Sequence, residues 1–252
     1  MIIDAGLGAA GLLRRPVTGR VVSVHRRAAY LRLDGELVAL VAPGVDAGPI
    51  HVRCAALPPC RVGEAVTGDG TRLAGERWAV RGPGAVWRGT LPRAFGDTAL
   101  ARDALVPGEM IGTAARAGSL EELAAAVGGR GPGLTPAGDD VLAGVLLVAR
   151  AAGVGEERLR SLTDTVRTTE VARAFLTWAA RGQSVAPAHV WLHAVAAGDR
   201  TAATRALTRL HRLGADSGRH LAAGMALGLG QLPRVVSQTA RAAAGPGLRQ
   251  RV

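Results

Sequence analysis

The spacing of apolar residues changes once along the chain. From Gly19 to about Trp87 the pattern is that of short strands. Val21-Val22-Ser23-Val24 forms one run, and Ala29-Tyr30-Leu31-Arg32-Leu33 alternates apolar with polar. Asp34-Gly35 supplies a hairpin turn, and Leu37-Val38-Ala39-Leu40-Val41 returns. Ile50 to Cys54, Glu64 to Val66, Thr71 to Leu73 and Trp78 to Val80 follow, separated by Gly and Pro. Many short strands between turns predict a small antiparallel barrel or sandwich. The Gly/Pro-rich join from Pro83 to Pro92 then suggests a boundary near residue 95.

Beyond that join the period becomes helical. Ser119-Leu120-Glu121-Glu122 is a capping box, opening a helix through Val127 that Gly128-Gly129 stops. Further helices are predicted over Pro136 to about Ala152, Glu156 to Thr165, Thr168 to Arg181, Ala186 to Ala197, Arg200 to Leu213, Ser217 to Leu229 and Arg234 to Ala244. The last residues, Gly245 to Val252, read as a frayed basic end. The predicted class is α+β: a β-rich domain over 1–95, then a mostly α-helical domain over 96–252.

One stretch organises the helical part. Gly129-Arg130-Gly131-Pro132-Gly133-Leu134-Thr135-Pro136-Ala137-Gly138-Asp139-Asp140 runs into a helix too apolar to face water. Thr135 suits the cap and Pro136 the first helical position, where a missing N–H costs nothing. Gly131, Gly133 and Gly138 leave the backbone bare where the amides at a helix start point outward, which is how chains hold anions. On this reading Gly138→Val abolishes ligand binding in a protein that still folds. Asp139 and Asp140 complement the positive end of the helix dipole, or contact a ligand. Successive helical residues diverge by about 100°, so at most one of the pair faces a pocket.

The helix at Ser217 echoes this one. Ala137-Gly138-Asp139-Asp140-Val141-Leu142-Ala143-Gly144 aligns with Ser217-Gly218-Arg219-His220-Leu221-Ala222-Ala223-Gly224. The later glycines, Gly144 and Gly224, would let neighbouring helices approach closely. Either the two helices cross in the core with their N-termini converging on one pocket, or an alanine-rich composition has produced the match by chance.

Composition narrows the function classes. Hydrophobic residues make up 48% of 252, enough for a sizeable core, and aromatics only 3%. The formal charge of +11 would suit nucleic acid, but every basic residue is arginine, scattered along the chain with few aromatics between. That resembles the codon bias of a GC-rich genome, and neither a nucleic-acid nor a membrane partner is expected. Cys54 and Cys60 are too few for a disulfide framework or a zinc site, so a reduced, cytoplasmic protein is expected. The N-terminus lacks the pattern of a signal peptide, and no run approaches the ~18 apolar residues of a membrane helix. His25 and His51 read as surface or hydrogen-bonded residues. His189 and His193 share a helix face, but no acidic base lies between them, so packing or surface roles are expected. Trp178 and Trp191 read as helix packing.

The run Gly131-Pro132-Gly133-Leu134-Thr135-Pro136-Ala137-Gly138-Asp139-Asp140, with Leu142-Ala143-Gly144 behind it, resembles the signature of the AllH-like family. Thr168-Thr169 before a helix, and Gly214-Ala215-Asp216-Ser217-Gly218, are similar to that family's later motifs. The resemblance implies a subunit of an oxamate carbamoyltransferase in allantoin breakdown. There oxalurate and phosphate interconvert with oxamate and carbamoyl phosphate, and the family member works beside other subunits. This chain departs from the pattern at Ala172, where the family has serine, and at His220, where it has aspartate. The departures leave open a non-catalytic ligand-binding or assembly role.

Carbamoyl transfer needs a phosphate held against a polarised carbonyl, with developing charge met by fixed donors. Amides at Gly131, Gly133 and Gly138, and hydroxyls of Thr135, Thr168, Thr169 and Ser217, could supply these, with Arg130 or Arg219 as a guanidinium fork; Gly218, beside Ser217, is counted with the ligand-binding residues. The carboxylates of Asp139 and Asp140 would repel an anion. A Mg²⁺ bridging Asp140 and a phosphate is one resolution; the sequence assigns no cofactor and no metal ligand set.

Overall fold

The computed structural model describes residues 1–243 except Pro83 and Asp97, with only the helix backbone described from 232 to 243. The predicted basic end, Gly245 to Val252, and Ala244, the last residue of the final predicted helix, lie outside the described residues. The chain divides into two compact units. Met1–Thr90 with Gln183–His189 forms the first, and Leu91–Gly182 with the chain from Val190 forms the second.

The first unit is built on one curled nine-stranded sheet. Its strands are β1 (Ile2–Gly6), β2 (Pro16–Val24), β3 (Ala28–Leu33), β4 (Glu36–Val41), β5 (His51–Cys54), β6 (Ala65–Asp69), β7 (Arg72–Ala74), β8 (Ala79–Arg81) and β9 (Ala85–Trp87), with α1 (Leu7–Leu13) between β1 and β2. Their order is β8-β7-β6-β2-β3-β4-β5-β1-β9, so β8 and β9 are two edges and the sheet is a half-barrel. Where a small barrel or sandwich was expected, the strands form a single half-barrel sheet. Nor is it purely antiparallel, because β4–β5 and β1–β9 pair in parallel.

Local sequence explains the core of this sheet. Asp34 and Gly35 both take positive φ (47° and 84°) in the β3–β4 turn, a backbone twist that matches the strands it joins. The Asp34 carboxylate accepts from the Thr18 amide at 3.0 Å and from Arg15. Alternation then buries Leu31, Leu33, Val38 and Leu40, joined by Val52, Val66 and Leu73 and by Ala9, Ala10 and Leu13 of α1. Cys54 and Cys60 are free and lie in this core; burial pushes both thiols up to about 11.

Residues 183–189 complete the first unit through side chains that pair with backbone. The Gln183 amide receives Gly89 N–H at 3.0 Å and donates to Gly89 O at 2.9 Å, as a neighbouring strand would. His189 Nε2 accepts from Ser184 N–H, so its Nδ1 carries the proton and donates to Thr90 O at 2.9 Å. With both ring nitrogens engaged, His189 holds the chain in place and is not a metal ligand. His51 is likewise buried and bonded to Asp46 O, and burial lowers its pKa.

The second unit is helical: a 3-10 turn (Ala99–Ala104), α2 (Glu109–Arg116), α3 (Leu120–Val127), α4 (Ala137–Ala151), α5 (Glu156–Thr165), α6 (Glu170–Ala180), α8 (Arg200–Leu210) and α9 (Ser217–Ala243). The intervening helix, α7 (Ala186–Ala196), belongs to this unit from Val190 onward. Ser119 caps α3 by accepting from Glu122 N–H at 3.1 Å, and the Glu122 carboxylate returns to Gly118 N–H. Glu156–Thr165 is the predicted helix to the residue. The two helices expected after Ser217 are one, since α9 continues through Pro233.

At the centre of the second unit α4 packs on α9. α4 is buried nearly all round, as a core helix should be. A Cβ on Gly144 would overlap Leu221 O and stand 2.5 Å from Met225 N, while one on Gly224 would overlap Val141 O. The contact is thus the same with partners exchanged, the signature of a local two-fold relation. Farther along, Gly228 faces Val148. Residue numbers rise together on both helices, so the two run in the same general direction with their N-termini on one side.

Candidate functional site

The two crossing helices begin alike. Gly138 N–H donates to Arg130 O, and Arg130 N–H to Val127 O; Gly218 N–H donates to Leu213 O, and Leu213 N–H to Leu210 O. A Cβ on Gly138 would overlap the Val127 carbonyl that ends α3, and one on Gly218 the Leu210 carbonyl that ends α8. Each glycine lets a helix start sit on the end of the helix before it. The echo in sequence is therefore an echo in structure.

This corrects the role assigned to both glycines. Their amides are already used, so neither is a bare donor. The Gly138→Val variant would push into backbone and is not expected to leave a folded protein. The helix also starts one residue later than the pattern predicted. Pro136 is the N-cap (ψ 141°), and its carbonyl accepts from Asp139 and Asp140 N–H at 2.9 and 3.2 Å. Thr135 does not cap α4.

What Thr135 does instead joins the helix starts. Its Oγ1 lies 2.7 Å from Ser217 Oγ, linking the beginnings of α4 and α9. Thr169 caps α6, accepting from Ala172 N–H at 3.1 Å while donating its own proton to Leu134 O. Three helix N-termini thus meet the loop 129–135. Their dipoles place partial positive charge on that side of the unit.

The loop itself is open. Gly131, Pro132, Gly133 and Leu134 are exposed, and Thr135 is half-buried. Gly131 and Gly133 have φ of 118° and 91°, a region that favours glycine. A Cβ on Gly131 would stand 2.8 Å from Ala137 N, over the first amide of α4, whereas one on Gly133 would meet open space. Among the described residues, the amides of Gly131, Gly133, Leu134, Thr135 and Ala137 have no protein acceptor. Arg130 and Arg219 are exposed on the loop and on the first turn of α9.

The adjacent carboxylates have separate environments. Asp139 is buried, with Oδ1 accepting from Gly129 N–H at 2.8 Å and Oδ2 from the Thr168 hydroxyl. It braces the loop, and burial raises its pKa. Asp140 keeps some exposure as a residue, but its Oδ2 is fully buried and has no partner. Burial pushes Asp140 up to about 8, against the opposing pull of the Ser217 hydroxyl and with help from the Asp139 charge. His220 occupies the equivalent place at the start of α9, half-buried, its N–H on Asp216 O. Ala172 is buried in the first turn of α6.

The predicted residues Gly131, Gly133, Thr135, Asp139, Asp140, Thr168, Thr169 and Ser217 are therefore gathered around one loop, with Gly138 and Gly218 as packing contacts behind it. Elsewhere in the unit, a recess of about 970 Å³ between α3 and α5 is lined by residues such as Ala124, Gly128, Leu162 and Val166 and contains none of them. Among the described residues no group of three or more His, Cys, Asp or Glu could hold a metal ion, and no helix is long and apolar enough to cross a membrane.

Residues 127–229 match the family model described as oxamate carbamoyltransferase subunit AllH. The match covers 103 of the 252 residues, and over this segment the chain is similar to the AllH-like family, which supports the resemblance the motif carries. The AllH match begins at the residue that ends α3 and closes on α9 past Gly228, so it takes in both of the paired helix starts and α6. No solved structure matches the chain.

Proposed function

We propose that the chain is a subunit of an oxamate carbamoyltransferase-like enzyme and binds a small anion, phosphate or a carboxylate, at the loop where α4, α6 and α9 begin. The observation that carries this reading is the set of unpartnered amides on an exposed loop at three converging helix N-termini. Fixed donors of this kind hold a phosphate or an oxyanion without reorganising as charge develops. Arg130 on the loop and Arg219 in the first turn of α9 add exposed guanidinium donors. The conflict between carboxylates and an anion is eased because Asp139 is turned inward and bonded. A reduced, cytoplasmic setting belongs to this reading and is supported by the two buried free thiols.

A second reading is a ligand-binding or assembly subunit without activity of its own. It is favoured by the departures at Ala172 and His220, both in first turns of the converging helices. The test is oxamate formation from oxalurate and phosphate by the purified chain, alone and with a co-expressed larger subunit, with and without Mg²⁺. Turnover alone or with the partner supports the enzyme reading; oxamate binding without turnover in either case supports the second. No binding and no turnover in any combination refutes both.

A further inference from the structure

We propose that two copies of this chain pair by laying α2 of each in the recess between α3 and α5 of the other. The inference stands apart from the anion site and does not depend on it.

The recess has a direction. Arg158 of α5 bonds Glu121 of α3 at 3.1 Å where both helices begin, and a Cβ on Gly128 would stand 2.8 Å from Val166 Cγ1 where both end. Its two walls therefore run the same way, and a helix laid antiparallel between them sets its dipole against both. The charges at the two ends suit such a helix. Glu157 lies in the first turn of α5 and Arg167 just beyond its end; both line the recess, and neither has an ion pair among the described residues. An antiparallel helix with an acidic first turn and a basic last turn would meet Arg167 with the one and Glu157 with the other.

α2 has that form. It opens on Glu109 and closes on Arg116, and neither has an ion pair among the described residues. Its eight residues span about 12 Å, as do the eight of α3. Glu109, Gly112, Thr113 and Arg116 share one face by their spacing, turned away from Ala114, which alone of the helix is buried. That face is open: a Cβ on Gly112 would meet nothing closer than the Arg116 guanidinium at 3.5 Å.

Gly112 is the telling residue. A glycine inside a helix costs about 1 kcal/mol against alanine, and nothing in its own chain requires it. A closely approaching helix would. The walls of the recess present small residues as well, with Ala124, Ala125 and Gly128 on one side and Ser161 on the other, so backbones can come near. Because α2 and the recess belong to the same chain, each copy supplies both halves of the contact, and the pairing closes at two copies.

The test is analytical ultracentrifugation of the full chain, which should show a species of twice 25.7 kDa. Glu109→Arg and Arg167→Glu each place two like-charge contacts in a dimer, so each variant alone should pair about tenfold or more weakly. An equal mixture of the two variants should recover the dimer, because every helix start then faces an opposite charge. Gly112→Leu adds a side chain where its own chain leaves room; it should fold, as circular dichroism would show, and sediment as a monomer. A monomeric unaltered chain at every concentration, single variants that pair as tightly as the unaltered chain, a mixture that stays monomeric, or a dimeric Gly112→Leu would each overturn the pairing. A chain that gains mass only beside a larger subunit, and loses it on Gly112→Leu, would overturn it too and give the recess to that subunit.

Discussion

Adding one methyl group at Gly224 tests the crossing on which the site depends. A Cβ there would overlap Val141 O and lie 2.8 Å from Val141 C, where carbon contacts ordinarily sit at about 3.5 Å. The shortfall is about 0.7 Å against that carbon and larger against the oxygen. Both atoms are backbone of a buried helix and cannot turn aside. Overpacking of this kind costs about 3 kcal/mol, and the better helix propensity of alanine returns about 1 kcal/mol, leaving a net loss of about 2 kcal/mol. The same substitution at Gly230, on the same helix with nothing within 4 Å, should gain about 0.5 to 1 kcal/mol. Urea unfolding of the two variants should therefore separate them by about 3 kcal/mol with little change in m. Moving α9 away from α4 also lengthens the 2.7 Å Thr135–Ser217 contact, so Gly224→Ala should lose anion affinity that Gly230→Ala keeps. Equal stability in the two variants, or a more stable Gly224→Ala, would refute the close crossing.

Further consequences follow from the same geometry. Gly131→Val places a side chain over the Ala137 amide and should weaken oxamate binding about tenfold or more by calorimetry, with only about 1 to 2 kcal/mol of backbone strain in unfolding. Asp139→Ala leaves the Gly129 amide and the Thr168 hydroxyl without their acceptor and should lower unfolding free energy by about 2 to 3 kcal/mol. Asp139 and Asp140 both hold their protons more tightly in the folded chain than at the ordinary 3.8. Their contribution to stability is therefore complete below that value and is lost as pH rises, for Asp140 through about 8. The urea midpoint should fall between about pH 5 and about pH 9, and less so in Asp140→Asn.

Much of this architecture is legible in sequence where local chemistry decides the structure. Asp34-Gly35 could only be a tight turn between two alternating runs, and Ser119 with Glu122 marks a helix start by its spacing alone. The short outer strand β9 hides in a Gly/Pro-rich stretch, and β1 is short and paired through its neighbours instead of its own periodicity. α9 looks like two helices because Gly230 and Pro233 interrupt its pattern, while the backbone runs on. At the candidate site, the motif's residues come together around one loop, but sequence does not give the duty of each. Gly138 appears to offer an amide until the Val127 and Arg130 carbonyls are seen against it. Asp139 and Asp140 are adjacent and chemically identical. Only the surrounding chain makes one a brace and leaves the other with a buried, partnerless oxygen.

The central claim, that the loop between α3 and α4 receives a small anion on its free amides, is tested most directly by a ¹⁵N NMR titration of the full chain with oxamate. The account predicts saturable shifts led by the amides of Gly131, Gly133, Thr135 and Ala137, with Ser217 responding from the partner helix. Shifts confined to scattered arginine-rich surfaces, with those amides unmoved at saturation, would contradict it.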